Sequence, residues 1–186
     1  MTAAQALGIP SVVVGLGSDL RRNKGVTQRH LTTQALKQAN CVITVSEELR
    51  GRAIRLGAAA TRTWPVLNGC DFSVFHPTNR VAERAELAFP LDAELVLFVG
   101  HLSPRKGLRE LLASVEAVSQ KRSRVCLALI GEGRMYPEIR SWVQRAGLSS
   151  RVLLLGQCSS QEVARWINAA DLLCLQVTRK DVPAPS

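Results

Sequence analysis

From Pro10 onward the chain alternates short apolar runs with stretches whose apolar residues recur every three or four positions. That alternation is the mark of a parallel sheet built with helical crossovers. The runs PSVVVGL (Pro10–Leu16), CVITVS (Cys41–Ser46) and the weaker Thr63–Leu67 predict three strands. Helices are expected over Thr27–Ala39 and from the cap Ser46 to the stop signal Gly57. A second series follows: ELVLFVG (Glu94–Gly100), VCLALIG (Val125–Gly131), VLLLG (Val152–Gly156) and DLLCL (Asp171–Leu175). Helices from about Gly107, Met135 and Ser160 separate these strands. Their stripes are Leu108, Leu111, Leu112, Val115, then Ile139, Trp142, Val143, Ala146, then Val163, Trp166, Ile167, Ala170, and each reads as core. Between the two series, TNRVAERAELAFPLDA (Thr78–Ala93) is charged, carries Pro90 and has no strong period. It is expected to be an interdomain linker. The organisation predicted is α/β: parts of two doubly wound parallel-sheet domains, 1–77 and 94–175, joined by 78–93.

Composition narrows the classes that remain. With 46% hydrophobic and 21% charged residues over 186 positions, the chain is neither disordered, collagen-like nor coiled-coil. The longest uncharged stretch, Met1–Ser18, lacks a basic leader and carries Gly8, Pro10, Gly15 and Gly17, so it predicts neither signal peptide nor membrane span. A soluble, cytoplasmic protein is the expectation. The five cysteines, 41, 70, 126, 158 and 174, form no C-x-x-C pair, and buried reduced thiols are expected. A formal charge of +9 suits an anionic ligand, a lipid head group or a nucleic acid. With eight aromatics and no basic run interleaved among them, nucleic acid is the weakest of the three.

In open parallel sheets, ligands sit beyond the carboxyl ends of the strands. The loop Gly100-His101-Leu102-Ser103-Pro104-Arg105-Lys106-Gly107 leaves a strand and enters a helix. Free N–H groups and the positive end of the helix dipole make such a place an anion site, and Lys106 adds a point charge. The same residues also read as a solvated turn with two exposed cations. Gly131-Glu132-Gly133-Arg134 follows the next strand, but the third position of a dinucleotide fingerprint is Tyr136. Gly15-Leu16-Gly17-Ser18-Asp19-Leu20 fails the same pattern at Leu20, and Ser18 or Asp19 also reads as a plain helix cap. His30, His76 and His101 have no ligand spacing, so no metal is predicted. The broken fingerprints also count against a nicotinamide-dependent oxidoreductase.

Taken in order, VITVSEEL, VLNGCDFSVFHP, LFVGHLSPRKGLRELL, LIGEGR, RVLLLGQ and QEVARWINAADLLCL resemble the retaining glycosyltransferases of family 4, over Gly8–Leu175. The resemblance implies a GT-B fold, with two Rossmann-like domains. It further implies a nucleotide diphosphate sugar as donor, a saccharide or lipid-linked acceptor, and no cofactor or metal ion. Lys106 falls on the family's lysine for the donor diphosphate. His101 falls where many members carry an arginine, and a neutral imidazole supplies less charge. Gly100, Gly131, Glu132 and Gly133 match the loops near the nucleotide. Gly17, Ser18 and Asp19 match a loop of the acceptor-side domain.

The family's pattern also extends beyond both ends of the match, and its two donor-site glutamates have no counterpart among these 186 residues. No catalytic residue is therefore assigned, and a fragment inactive by itself is expected. The tail 176–186 departs from the pattern after Leu175, and codon degeneracy allows Gln176–Pro183 to be a frame-shifted form of the family's next motif. A non-catalytic nucleotide-phosphate-binding or interaction fragment is the alternative. The positive charge predicts peripheral contact with an anionic membrane at its cytoplasmic face.

Overall fold

The β-branched runs of the first part of the chain do form strands, as their fit to a pleated surface requires. In the computed structural model, which describes residues 6–17, 20 and 25–175, strands β1 (Val12–Gly15), β2 (Cys41–Thr44) and β3 (Thr63–Pro65) pair in parallel in that order. Helices α1 (Val26–Gln38) and α2 (Glu47–Arg55) connect them. Ser46 caps α2 as expected, its Oγ accepting the Leu49 N–H at 3.2 Å. Gly57 then turns the chain away at φ +109°. The core of this unit is small, with Leu36, Val42, Leu49, Ala53 and Ala58 at its centre.

The second unit is a sheet covered on both faces. Strands β4 (Glu94–Val99), β5 (Val125–Ile130), β6 (Val152–Gly156) and β7 (Leu172–Leu173) run parallel in the order β6-β5-β4-β7. It also contains α3 (Arg80–Glu86), α4 (Leu108–Ser119), α5 (Tyr136–Arg145) and α6 (Ser160–Ala169). Because side chains alternate along a strand, Phe98, Leu127, Leu129 and Val152 pack with Leu108, Leu112, Ile139 and Val143 of α4 and α5. Leu95, Leu97, Ala128 and Ile130 pack on the other side with Trp166 and Ala169 of α6. The helical stripes are core, as their spacing predicts, except that Ile167 is exposed. Strand order reverses at β4: β5 and β6 lie to one side and β7 to the other.

Residues 78–93 are not a free linker. The division between the two units falls after Cys70, and this stretch folds onto the second. Asn79 caps α3, accepting the N–H groups of Val81 and Ala82 at 2.9 and 3.1 Å. Arg84, 2% exposed, donates to the carbonyls of Ala169, Leu91 and Ala93 and to the Asp171 carboxylate. Its guanidinium also lies 5.6 Å from the centre of the Phe89 ring. The expectation fails because the anchor of this seven-residue helix is a charged side chain, which no hydrophobic period reveals. Asn168 of α6 extends the attachment backward, holding the Thr78 N–H and the His76 carbonyl. Residues 71–77, assigned to the first domain by sequence, therefore go with the second.

The cysteines also depart from expectation. All five are unpaired, but Cys70 is exposed and Cys41, Cys126, Cys158 and Cys174 are only half-buried. Cys41 opens β2 and Cys174 follows β7, at the margins of the sheets. Burial still pushes the thiols of Cys126 and Cys158 up from the usual range. Among the described residues, no helix is long and apolar enough to cross a membrane. Ser18, Asp19 and the tail 176–186 lie outside the described residues.

Candidate functional site

Strand β4 flanks the point where the order of the second sheet reverses, and its carboxyl end is where an open α/β sheet offers a crevice. The loops leaving β4 and β5 meet there. Beyond the strands, the Gly100 N–H donates to the Ile130 carbonyl at 2.9 Å and the Gly131 N–H to the Gly156 carbonyl at 2.7 Å. One step further, the Leu102 N–H donates to the Glu132 carbonyl at 2.8 Å, and the Met135 N–H donates to the Leu102 carbonyl at 3.1 Å. The first two loops thus form a single hydrogen-bonded surface, and the third touches it through Gly156.

Pro104–Lys106 make one tight turn, closed by the Lys106 N–H on the Ser103 carbonyl at 3.0 Å. Gly107 then adopts a left-handed conformation, φ 60° and ψ 30°, and serves as the N-cap of α4. A residue with a Cβ would be strained there. No side chain of the N-cap residue caps α4, and its first N–H groups lie at the positive end of the helix dipole. Lys106 immediately precedes this cap and is half-exposed, while His101, Arg105 and Glu132 are exposed. Gly100, His101, Lys106, Gly131, Glu132 and Gly133 are thus brought to one end of one sheet.

Gly17 belongs to the first unit, where it follows β1 at φ +127°, its carbonyl accepting the Leu20 N–H at 3.2 Å. Sequence reasoning passed over Leu102 and Gly156, which hold the loops together. Leu102 left one legible signal, an apolar residue isolated among polar loop positions. Gly156 left none beyond ending a strand.

A parallel α/β sheet whose strand order reverses at β4, with the loops leaving β4 and β5 joined beyond that point, defines a Rossmann-like class of fold. Residues 79–183 match the glycosyl transferases group 1, and the chain belongs to that family. It is 32% identical over 146 residues to the D-inositol 3-phosphate glycosyltransferase of Thermomonospora curvata, covering 70% of this chain and 34% of that protein. The structure is similar to Anabaena Alr3699/HepE solved in complex with UDP, with TM-score 0.74 and 24% identity over 95% of this chain and 49% of that one. It is also similar to sucrose-phosphate synthase from Thermosynechococcus elongatus, with TM-score 0.66 and 26% identity over 81% of this chain and 38% of that one. The fold is of the GT-B type, each unit being part of a Rossmann-like domain. The chain spans about a third of the length of the curated relatives it matches.

Proposed function

We propose that this chain carries the donor-binding part of a retaining family 4 glycosyltransferase. The enzyme moves a hexosyl group from a nucleotide diphosphate sugar to a saccharide or lipid-linked acceptor. The observation that carries this reading is Lys106 standing beside the uncapped start of α4, in a loop hydrogen-bonded to its neighbour at the sheet's reversal point. Lys106 and His101 hold the diphosphate. Gly100, Gly131, Glu132 and Gly133 form the loops beside the nucleotide, and the segment Gly17-Ser18-Asp19 serves the acceptor. Complexes of HepE with UDP and with UDP-glucose support UDP as the first nucleotide to test.

When the bond from the sugar to the diphosphate breaks, its electron pair leaves with the phosphate oxygen. A lysine ammonium and fixed N–H donors stabilise that charge without a metal ion. The acceptor hydroxyl oxygen then bonds to the electron-poor sugar carbon from the face the diphosphate leaves, its proton passing to the departing phosphate oxygen, and the configuration is preserved. The chain by itself binds donor without transferring the sugar. Its charge of +9 supports peripheral contact with an anionic cytoplasmic membrane face.

Calorimetric titration with UDP tests the reading. Lys106→Ala is expected to weaken binding by about 1–3 kcal/mol, the scale of a charge-assisted hydrogen bond. Equal affinity in the two proteins removes the role of Lys106. Sugar transfer by this chain alone, followed by mass spectrometry with UDP-glucose, would overturn the claim that it only binds.

A further inference from the structure

The two glycines of the loop after β5 have neighbours that explain them without a ligand. Gly131 lies at φ +130° and Gly133 at φ +157°, conformations that L side chains rarely adopt. A Cβ on Gly131 would stand 2.1 Å from the Gly100 carbonyl oxygen, and one on Gly133 would stand 2.3 Å from that of Leu102. Contacts of Cβ below 3.0 Å are essentially never found, so either side chain would have to displace the facing loop by roughly an ångström. The obstacle is backbone on both sides, which has no rotamer to retreat into.

Leu102 is what these glycines admit. Its side chain is buried in the core beside Phe98, Leu108 and Met135, its N–H is held by Glu132, and its carbonyl is held by Met135. Three attachments at one residue fix the middle of the Gly100–Gly107 loop. His101 and the Ser103–Lys106 turn flank that fixed point. Every attachment outside the core requires the β5 loop to lie flat against Leu102, and only glycine at 131 and 133 allows it.

We infer that Gly131 and Gly133 are positioning residues: they serve the donor through Leu102, by fixing the loop that carries Lys106, and need not touch the nucleotide themselves. The inference rests on reading the Gly100–Gly107 loop as the diphosphate site. Glu132, whose side chain is exposed between them, supplies its carbonyl to the same lock.

The test combines UDP titration with amide exchange followed by NMR on the full chain. Gly133→Ala and Gly131→Ala should each lower UDP affinity about ten- to a hundredfold, the scale of an ångström-level misplacement. The amide protons of Leu102 and Met135 should lose protection at the same time. Lys106→Ala should lose affinity with both amides still protected, which separates holding the loop from touching the ligand. Gly147→Ala is the control: it has φ +66° but open space around its Cβ, and UDP affinity should stay within about twofold. Wild-type affinity in Gly133→Ala overturns the inference. So does lost affinity with Leu102 and Met135 still protected, because the glycine would then act by direct contact. If the alanine variants do not fold, Leu102→Val carries the test, shortening the anchor with both glycines in place. Lower affinity with weaker Met135 protection supports positioning, and unchanged affinity overturns it. A wild-type chain that binds no UDP would sink the donor-site reading alone. Exchange measured without nucleotide still decides the lock, which stands if Gly133→Ala exposes the two amides and falls if it does not.

Discussion

A guanidinium offers five N–H donors and never gives up its charge at ordinary pH, so a buried arginine is tolerable only where acceptors surround it. Arg84 meets that condition with three backbone carbonyls at 2.7 to 2.9 Å and the Asp171 carboxylate at 2.7 Å. Asp171 also accepts the Leu95 N–H at 2.8 Å, which ties the first residues of β4 to the start of β7. Burial pushes the Asp171 carboxyl up, but the Leu95 N–H, Arg84 and Arg80 outweigh it and hold it below its ordinary value of 3.8. A carboxyl with a lowered folded-state value stabilises the fold above its unfolded value, and that contribution disappears as pH falls through the folded one. Asp171→Asn should therefore cost about 1–3 kcal/mol at neutral pH, toward the lower end because the carboxylate is partly solvated. The deficit relative to wild type should shrink as pH falls below 3.8. Urea titrations of both proteins at a series of pH values measure it. A deficit that stays constant deep into acid would mean that shape, not charge, explains the loss.

Helix α6 shows what a well-signalled element gains from its first turn. Ser159 Oγ accepts the Glu162 N–H at 3.3 Å while the Glu162 carboxylate accepts the Ser159 N–H at 2.7 Å, a reciprocal capping box. The Ser159 N–H and hydroxyl hold the Glu162 carboxyl below the usual range. Replacing Ser159 with Ala should lower stability by about 1 kcal/mol, seen as a lower melting temperature. Arg109→Ala breaks only a solvent-exposed pair with Glu138 across α4 and α5, and should leave the melting temperature unchanged. Equal losses would show that the cap is no more than surface chemistry. The contrast with α3 explains what a sequence discloses. Ser-x-x-Glu before an apolar stripe is local and legible, whereas Arg84 is recognisable as an anchor only once Ala169 and Asp171, far along the chain, stand beside it. The strands were legible to within a few residues at each end because apolar runs stop at glycines and polar turns. Within the site, Lys106 and the glycines were legible as a pattern. The reason for Gly131 and Gly133 was not, since it lies in the carbonyls of Gly100 and Leu102.

At the scale of the whole molecule, the two units differ in how completely their sheets are enclosed. Helices cover both faces of β4, β5 and β6, and two separate clusters of buried side chains sandwich that sheet. Among the described residues the first unit has one small cluster, and β1, at the edge of its sheet, leaves Val12 60% and Val14 51% exposed. Exposed valines add little to the free energy that holds a strand in place, because apolar area still in contact with water contributes nothing. An edge strand also lacks a second ladder of hydrogen bonds. Local opening draws on these two quantities, so regions poor in both open at lower free energy than the rest. Amides of β1, β2 and β3 should therefore exchange faster than those of β4, β5 and β6, and their opening should need less denaturant. The central strand β2 should be the slowest of the first three. Hydrogen exchange read by mass spectrometry over a range of urea concentrations resolves the two groups. Equal protection of both sheets, lost together at one urea concentration, would show that the first sheet draws its stability from more than its own buried residues.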